Sequence, residues 1–379
     1  MKKLSLLLFV VFAVAQFCFS QTPDLYLGLT PPGYTPEVFA PDIVSLSTRN
    51  ERVVTFSASG HEIFFQTGSW PTTTVNYIQY KDGAWTSPEI ATFSANRPVG
   101  EPFFSVDGIR IYYYAYQPGA STNSEIYYSE KSGDVWGEPI SVGDVINSTG
   151  DQYHPCIVSD GSLYFSDGLG RAYRSQFNGG VYENEVALPA NVNGGSYVWF
   201  DHYVAPTESY MVFGAEKNEG MGGTDLYISF RNADGSWTDP QNFGSTINTA
   251  ANEFAPDITP DGKYMTYDSN NDIYWVAVEN TIEELRATSG VTSIDTDTKT
   301  QGFQIFPNPT NDKINISLSE ISNKNISIEI IDISGKLIYS ETYNNFSETV
   351  IDLTGNAKGI YFLRIISTDE IVNKKFSLL

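Results

Sequence analysis

The chain has 379 residues and sets 22 Lys and Arg against 45 Asp and Glu, a formal net charge of −23. That balance excludes nucleic acid and anionic membrane surfaces as partners, since both need clustered cations. Aromatic residues make up 14% of the chain and helix-period segments are scarce, so the composition is that of an all-β protein.

Lys2 and Lys3 precede an apolar run from Leu4 to Ala15, and Ser20 is a small residue ahead of Gln21. Residues 1–20 therefore read as a secretory signal peptide, too short for a membrane anchor. Gln16 and Phe17 are not the small residues that lipidation of Cys18 would need. Removal of this segment leaves Cys156 alone, so no internal disulfide is expected and the core must hold the fold. No transmembrane segment is expected, because no later stretch has the ~18 apolar residues that span a bilayer.

From residue 51 the chain repeats itself. Turns at Ser59-Gly60, Asp107-Gly108, Asp160-Gly161, Glu208-Ser209 and Asp261-Gly262 recur at intervals of roughly fifty residues, the period of a propeller or array. Each unit reads as four strands. A short first strand leads to the turn, where Gly supplies positive φ at little cost. The second strand carries Phe65, Tyr113, Phe165, Phe213 or Tyr267, and the third Tyr77, Tyr127, Tyr173, Tyr227 or Tyr274. A second turn then leads to a Trp-x-x-Pro stretch at Trp85, Trp136 and Trp237, with Tyr182 in unit three.

Radial packing buries the aromatic faces of such sheets against one another and leaves only short edges. Closure is expected at the N-terminus. "GYTPEVFA", Gly33 to Ala40, is similar to "AWTSPEIA", Ala84 to Ala91, but lacks three strands before it. Unit five ends at "DIYWVAV" and lacks its last strand. Residues 34–44 are therefore expected to complete the fifth sheet beside Ile273–Val278. The fold class expected over 31–287 is a five-bladed β-propeller, or a six-bladed one if a degenerate blade escapes the alignment. The phrases "SVDGIRIYY", "TPDGKYMTY" and "GGTDLYISF" resemble TolB-type, WD40-like propeller repeats of secreted bacterial proteins. None of the turns carries the tryptophan of a sialidase Asp-box.

"NTIEELRA" near Glu283 reads as the one helical stretch, and residues 288–302 as a polar linker. From Phe303, "KINISL", "SIEIID", "KLIYSE", "TVIDL" and "IYFLRII" alternate apolar and polar residues, the pattern of a small β-sandwich over 303–379. "FQIFPNPTNDKINI", "DISGKLIYS" and "LTGNAKGIYFLRI" resemble the type A C-terminal sorting domain of the type IX secretion system. That resemblance implies the secretion machinery as a partner through 303–379, and export from a Gram-negative bacterium to its outer surface or medium.

In propellers of this kind the first strand is innermost, and its start rings the mouth of the central channel. Six or seven residues before each turn stand Val53, Glu101, His154, His202 and Ala255, with Glu51, Asp201 and Glu253 close by. Glu101, His154, Asp201, His202 and Glu253 are the candidate ligand-binding residues. Glu101, His154 and His202 are the combination that could hold a metal, and otherwise serve to hydrogen-bond the inner strands together. Asp268 to Asp272 lacks the length and glutamate of a calcium loop and reads as a tight turn. No cofactor is expected, for no nucleophile elbow, zincin helix or phosphate loop is present. The leading expectation is a secreted or cell-surface protein whose propeller loops, Gln66–Asn76, Gln117–Ser124 and Glu216–Thr224, bind a glycan or protein. The alternative is a carbohydrate-active hydrolase using Glu101 and Glu253 as its carboxylates.

Overall fold

The structure, a computed structural model, divides into two compact units, residues 1–292 and 293–379. It describes residues 25–117, 119–120, 122–148, 150–193, 201–217 and 220–291 of the first. In the second it describes 303–306, 310, 312–318, 326–332, 337–344, 346, 348–366 and 371–378. The expected signal peptide and all but the first residues of the expected linker lie outside the described residues.

The first unit is nearly all-β. Its described residues form five antiparallel sheets of four or five strands, each running first to third strand in chain order, and one separate two-stranded hairpin. Sheet one holds Glu51–Phe56, Glu62–Thr67, Thr74–Lys81 and Glu89–Ile90, and sheet two Val99–Phe104, Arg110–Ala115, Glu125–Ser132 and Ile140–Ser141. Sheet three holds Gln152–Ile157, Leu163–Asp167, Ala172–Ser175 and Val186–Ala187, and sheet four His202–Val204, Tyr210–Ala215, Asp225–Phe230 and Gln241–Asn242. Sheet five takes Glu253–Ile258, Tyr264–Ser269 and Asp272–Ala277, and its outer strand is Glu37–Val38. There Glu37 pairs with Trp275 and Val38 with Tyr274.

The first strand of each sheet neighbours that of the next, and Glu253–Ile258 neighbours Glu51–Phe56, so the inner strands make a closed circuit. An apolar layer fills every gap between sheets. Phe64, Phe104 and Trp136 lie between sheets one and two, and Ile126, Ile157 and Leu163 between two and three. Cys156, Met211 and Phe213 lie between three and four, and Leu226, Ile258 and Met265 between four and five. At the seam, Phe39 packs edge-on against Trp275 of sheet five, centroids 5.2 Å apart, and against Phe56 of sheet one at 5.7 Å. Each fully buried aromatic side chain of this kind contributes about 2–3 kcal/mol of transfer free energy. The circuit makes that burial two-sided for every sheet.

Two details depart from the sequence reading. The Trp-x-x-Pro stretches are not the outer strands themselves. Trp85 and Trp136 close a hairpin onto the end of the third strand, and the two-residue strands Glu89–Ile90 and Ile140–Ser141 follow the proline. Val181–Tyr182 likewise pairs with Phe177–Asn178, and Val186–Ala187 completes sheet three. Proline cannot donate to a ladder and keeps each edge short.

The fourth turn is also one residue out of place. Gly60, Gly108, Gly161 and Gly262 donate to the carbonyls of Ser57, Ser105, Val158 and Thr259, all with positive φ. In sheet four the equivalent donor is Glu208, to Ala205 O at 2.7 Å and with φ 57. Thr207-Glu208, not Glu208-Ser209, is therefore the turn pair. A left-handed conformation is strained for a glutamate, and its carboxylate is tied down to offset this. It accepts from Tyr164 Oη at 2.5 Å, from Arg174 Nε at 2.6 Å and from Arg231.

The stretch Glu279–Thr288 is helical, with Ile282 buried and the Arg286 guanidinium 4.6 Å from the Phe230 ring centroid. In the second unit, one sheet joins Phe303–Phe306, Lys313–Leu318 and Glu348–Asp352. The other joins Leu337–Tyr343, Ile326–Asp332, Gly359–Ile366 and Ile371–Leu378. Ile314, Ile316, Ile328, Ile330, Leu363 and Phe376 form their shared core, from alternate residues of each strand.

Candidate functional site

The inner strands do not run straight. In sheets one, two, three and five the pairing with the second strand shifts register, at Arg52/Val54, Gly100/Phe103, Tyr153/Cys156 and Phe254/Asp257. At each bulge one residue turns left-handed: Val53 (φ 41), Glu101 (φ 54), His154 (φ 51) and Ala255 (φ 47). A bulge leaves one residue without a ladder partner. Pro102, Pro155 and Pro256 follow three of the four and remove a donor that would go unpaired. The corrected turn places Asp201 at the equivalent position of sheet four. His202, assigned there from sequence, takes the place of the prolines instead, because a turn without glycine slid the alignment by one.

These bulges line a narrow cavity on the channel, bounded by Val53, Glu101, His154, His202, Ala255 and Asp257 among others. It leaves about 20 Å³ to the centres of water molecules, room for about one.

Above it lies a chain of ion pairs to which each sheet contributes one residue. Asp268 of sheet five accepts from Arg52 Nε of sheet one at 2.9 Å. A second guanidinium nitrogen of Arg52 reaches Asp201 Oδ2 of sheet four, also at 2.9 Å. The other oxygen of Asp201 meets His154 Nε2 of sheet three. His154 Nδ1 lies 3.1 Å from Glu101 Oε2 of sheet two, and the same oxygen accepts the His154 backbone N–H at 2.8 Å. The Glu101 backbone N–H donates to Gln66 Oε1 of sheet one at 2.9 Å and returns the chain to its start. The Arg52 side chain is 34% exposed and that of Asp201 1%, so the guanidinium caps the mouth over buried carboxylates.

Burial opposes a charge on His154, but the flanking carboxylates of Asp201 and Glu101 raise its pKa above the ordinary histidine value. Each of its ring nitrogens faces a carboxylate oxygen, the arrangement that a protonated imidazole satisfies with two donors. Burial also works against Asp201, yet His154 and Arg52 hold its carboxyl below the usual range. Burial outweighs the neighbouring cations at Glu101, whose pKa is raised, and lifts Asp268 to about 6 against the pull of Arg52. Asp257, one layer deeper, is pushed by burial to about 7, although Thr55 and the Ile258 backbone N–H oppose the shift.

The structure therefore brings Glu101, His154 and Asp201 into contact and sets His202 on the same cavity. It does not bring Glu253 there. That carboxylate accepts from Thr249 Oγ1 at 2.7 Å, from the Thr249 N–H at 3.2 Å and from Ser269 Oγ at 3.4 Å. Glu253 is not among the residues that line the cavity of Glu101. A metal on Glu101, His154 and His202 also lacks its geometry: both nitrogens of His154 face carboxylates, and no cluster of three or more potential ligands occurs among the described residues. Asp268 belongs to the ion chain, and Asn270 and Asn271 form a left-handed two-residue turn between paired Ser269 and Asp272.

Sequence reasoning missed Arg52, Asp257 and Asp268. The signal for Arg52 was present: it stands between Glu51 and Val53, and several acids at one buried register demand a cation. Asp268 is on a second strand, where the register argument did not look.

Comparison with known proteins adds the following. Residues 304–378 match the family described as "Secretion system C-terminal sorting domain". The chain is 25% identical over 231 residues to the ulvan lyase NLR42 of Nonlabens ulvanivorans, a match covering 60% of this chain. It spans 41% of that relative's length. Similar solved structures include TolB from Acinetobacter baumannii, 15% identical with TM-score 0.40, covering 61% of this chain and 55% of that one. An endo-arabinase from Bacteroides thetaiotaomicron is 14% identical with TM-score 0.41, covering 63% and 96%. No helix among the described residues is long and apolar enough to cross a membrane. The second unit carries a type IX secretion sorting domain, and with it the chain is directed to the cell surface or extracellular space.

Proposed function

We propose that this exported protein binds a glycan on the face of the ring where the channel opens, and that its channel residues hold the ring together rather than cleave a substrate. The observation that carries the reading is the imidazole ring of His154, wedged between Glu101 and Asp201. A glycosidase must keep the space between its two carboxyls for the sugar and water. Here that space is filled by a protein side chain, and the cavity beneath admits about one water. The kinship with a lyase named for ulvan supports a polysaccharide as the ligand class.

The connections from second to third strands, 68–73, 116–124 and 216–224, leave and rejoin their sheets at the end where the inner strands begin. Loops carried on a rigid frame are the usual place for recognition. The mature chain, screened on a glycan array that includes ulvan, is expected to bind, and shortening all three loops to tight turns is expected to abolish binding. Retention of full affinity by the shortened protein would reject this face.

A further inference from the structure

The mouth face carries apolar side chains that the packing of the ring does not use. Trp70 of loop 68–73 is 58% exposed, Leu169 at the tip of the sheet-three turn 77%, and Met221 of loop 216–224 45%. Ile43 and Val145, on connections between sheets, are exposed as well. Each gives up the free energy its burial would supply.

The same face holds cations laid over tyrosines. Tyr127, Tyr173 and Tyr227 stand at one register of their third strands, opposite Tyr113, Phe165 and Phe213. The Arg97 guanidinium is 4.7 Å from the Tyr127 ring centroid, that of Arg171 5.9 Å from Tyr173, and Lys217 Nζ 5.4 Å from Tyr227. Arg171 is paired with Asp167, Arg49 with Glu51, Arg52 with Asp201 and Asp268, and His154 with Glu101 and Asp201. Among the described cations of this face, Arg97 and Lys217 are the two left without an ion pair. Both lie close in the structure to an exposed apolar side chain. The Val99 N–H donates to Thr73 O at 3.2 Å and ties the segment of Arg97 to the loop of Trp70. Lys217 shares a loop with Met221, closed by the Gly220 N–H on Lys217 O at 2.9 Å.

We propose that this face binds a polyanionic polysaccharide, its sugar rings laid on Trp70, Leu169 and Met221 and its carboxylate or sulfate groups held by Arg97 and Lys217. The inference rests on the mouth face being the glycan-binding face, and deepens it by naming the charge of the ligand. A pyranose offers an apolar C–H face to such side chains and a polar rim around it. A cation already held over an aromatic ring loses less freedom when it takes an anion, and the charge-assisted bond it then makes is stronger than a neutral one. The net charge of −23 does not decide the matter here, because exposed charges more than ~8 Å away are largely screened at physiological ionic strength. The free cations stand on different sheets rather than in one cluster. That spacing suits a polymer whose charges are separated by whole sugars, not the dense phosphates of nucleic acid.

The test is calorimetric titration of the mature full chain with ulvan, alginate and chondroitin sulfate, and with uncharged xylan and dextran, at rising NaCl. The expected result is binding of an anionic polymer that weakens as salt is added. Arg97→Gln combined with Lys217→Gln is expected to weaken it about tenfold or more and to flatten its salt dependence. Arg97→Lys with Lys217→Arg should keep most of the affinity, which a loss of fold would not allow. Trp70→Ala should lower affinity and leave the salt dependence as it was. Glu216→Gln, which removes an exposed acid next to Lys217, should tighten binding. Alginate alone, or chondroitin sulfate alone, among the charged probes would assign the anion as carboxylate or as sulfate, and either supports the proposal. Salt-sensitive binding unchanged in the Arg97→Gln, Lys217→Gln protein would overturn these cations as the site. Binding of neutral glycans as tight as that of the anionic ones would overturn the ligand class and leave the binding face standing. No binding to any glycan would overturn the proposed function itself, and this inference with it.

Discussion

Between the sheets, Phe39 meets Phe56 and Trp275 edge to face in a layer without charge. In the channel, Arg52 and His154 are locked among three carboxylates with one residue drawn from each sheet. The aromatic layers supply most of the stabilising free energy, because apolar burial is additive and indifferent to direction. The ion chain contributes less net stability, since desolvation cancels much of the Coulomb attraction. What it adds is direction: it is satisfied only when all the sheets stand in one order around one axis.

The comparison can be broken at the seam first. Deleting residues 25–45 removes the outer strand of sheet five and is expected to leave no cooperative unfolding transition of the first unit. The single change Phe39→Ala is expected to cost about 3–5 kcal/mol in denaturant titration. In the channel, Asp201→Ala strands Arg52 and His154 together and is expected to cost about 3–5 kcal/mol. Replacing Arg52, His154, Glu101, Asp201 and Asp268 together by apolar residues of similar size should recover part of that loss, as no charge is then left unmatched. A combined variant less stable than Asp201→Ala alone would show that the channel carries more of the stability than argued here.

Protonation sharpens the contrast, because the channel holds buried histidine and carboxyl groups with shifted pKa values. His154 has a raised pKa, so its contribution is complete below the unfolded value of about 6.5 and is lost as pH rises through the folded one. Asp257, at about 7, acts in the same sense but earlier, its contribution falling from about pH 4 to pH 7 as the buried acid is forced to ionise. Asp201 works the other way: its depressed pKa gives stability that is lost as pH falls through the folded value. The thermal midpoint is therefore expected to drop by a few degrees as pH rises past about 6.5 and through the folded His154 value. His154→Gln, measured calorimetrically, should flatten that slope.

Smaller effects belong to the turns and the surface. Gly108→Ala, at φ 71 with open space around it, is expected to cost about 1 kcal/mol from backbone strain alone. Lys81→Ala, which removes the exposed pair with Asp134, should leave the midpoint unmoved.

The repeat was legible because its turns demand glycine: Gly60, Gly108, Gly161 and Gly262 all take left-handed φ. Where the chain uses Glu208 instead, the sequence lost its marker, and His202 was placed where Asp201 stands. The all-β character was legible in the aromatic-rich composition and the scarcity of helix-period segments. The bulges were not, because a left-handed Val53 or His154 is dictated by neighbouring strands and has no local signature. Nor was the pairing of Arg52 with Asp201, residues 149 apart in sequence, since pairing at that distance depends on which sheet ends where.

The most direct measurement is simultaneous assay of binding and bond cleavage on one glycan ligand, by calorimetry and by release of new chain ends, for the mature protein and for Glu101→Gln. The account predicts binding by the mature protein with no cleavage. Cleavage by the mature protein that vanishes in Glu101→Gln while binding persists would contradict it, and would make the channel an active site.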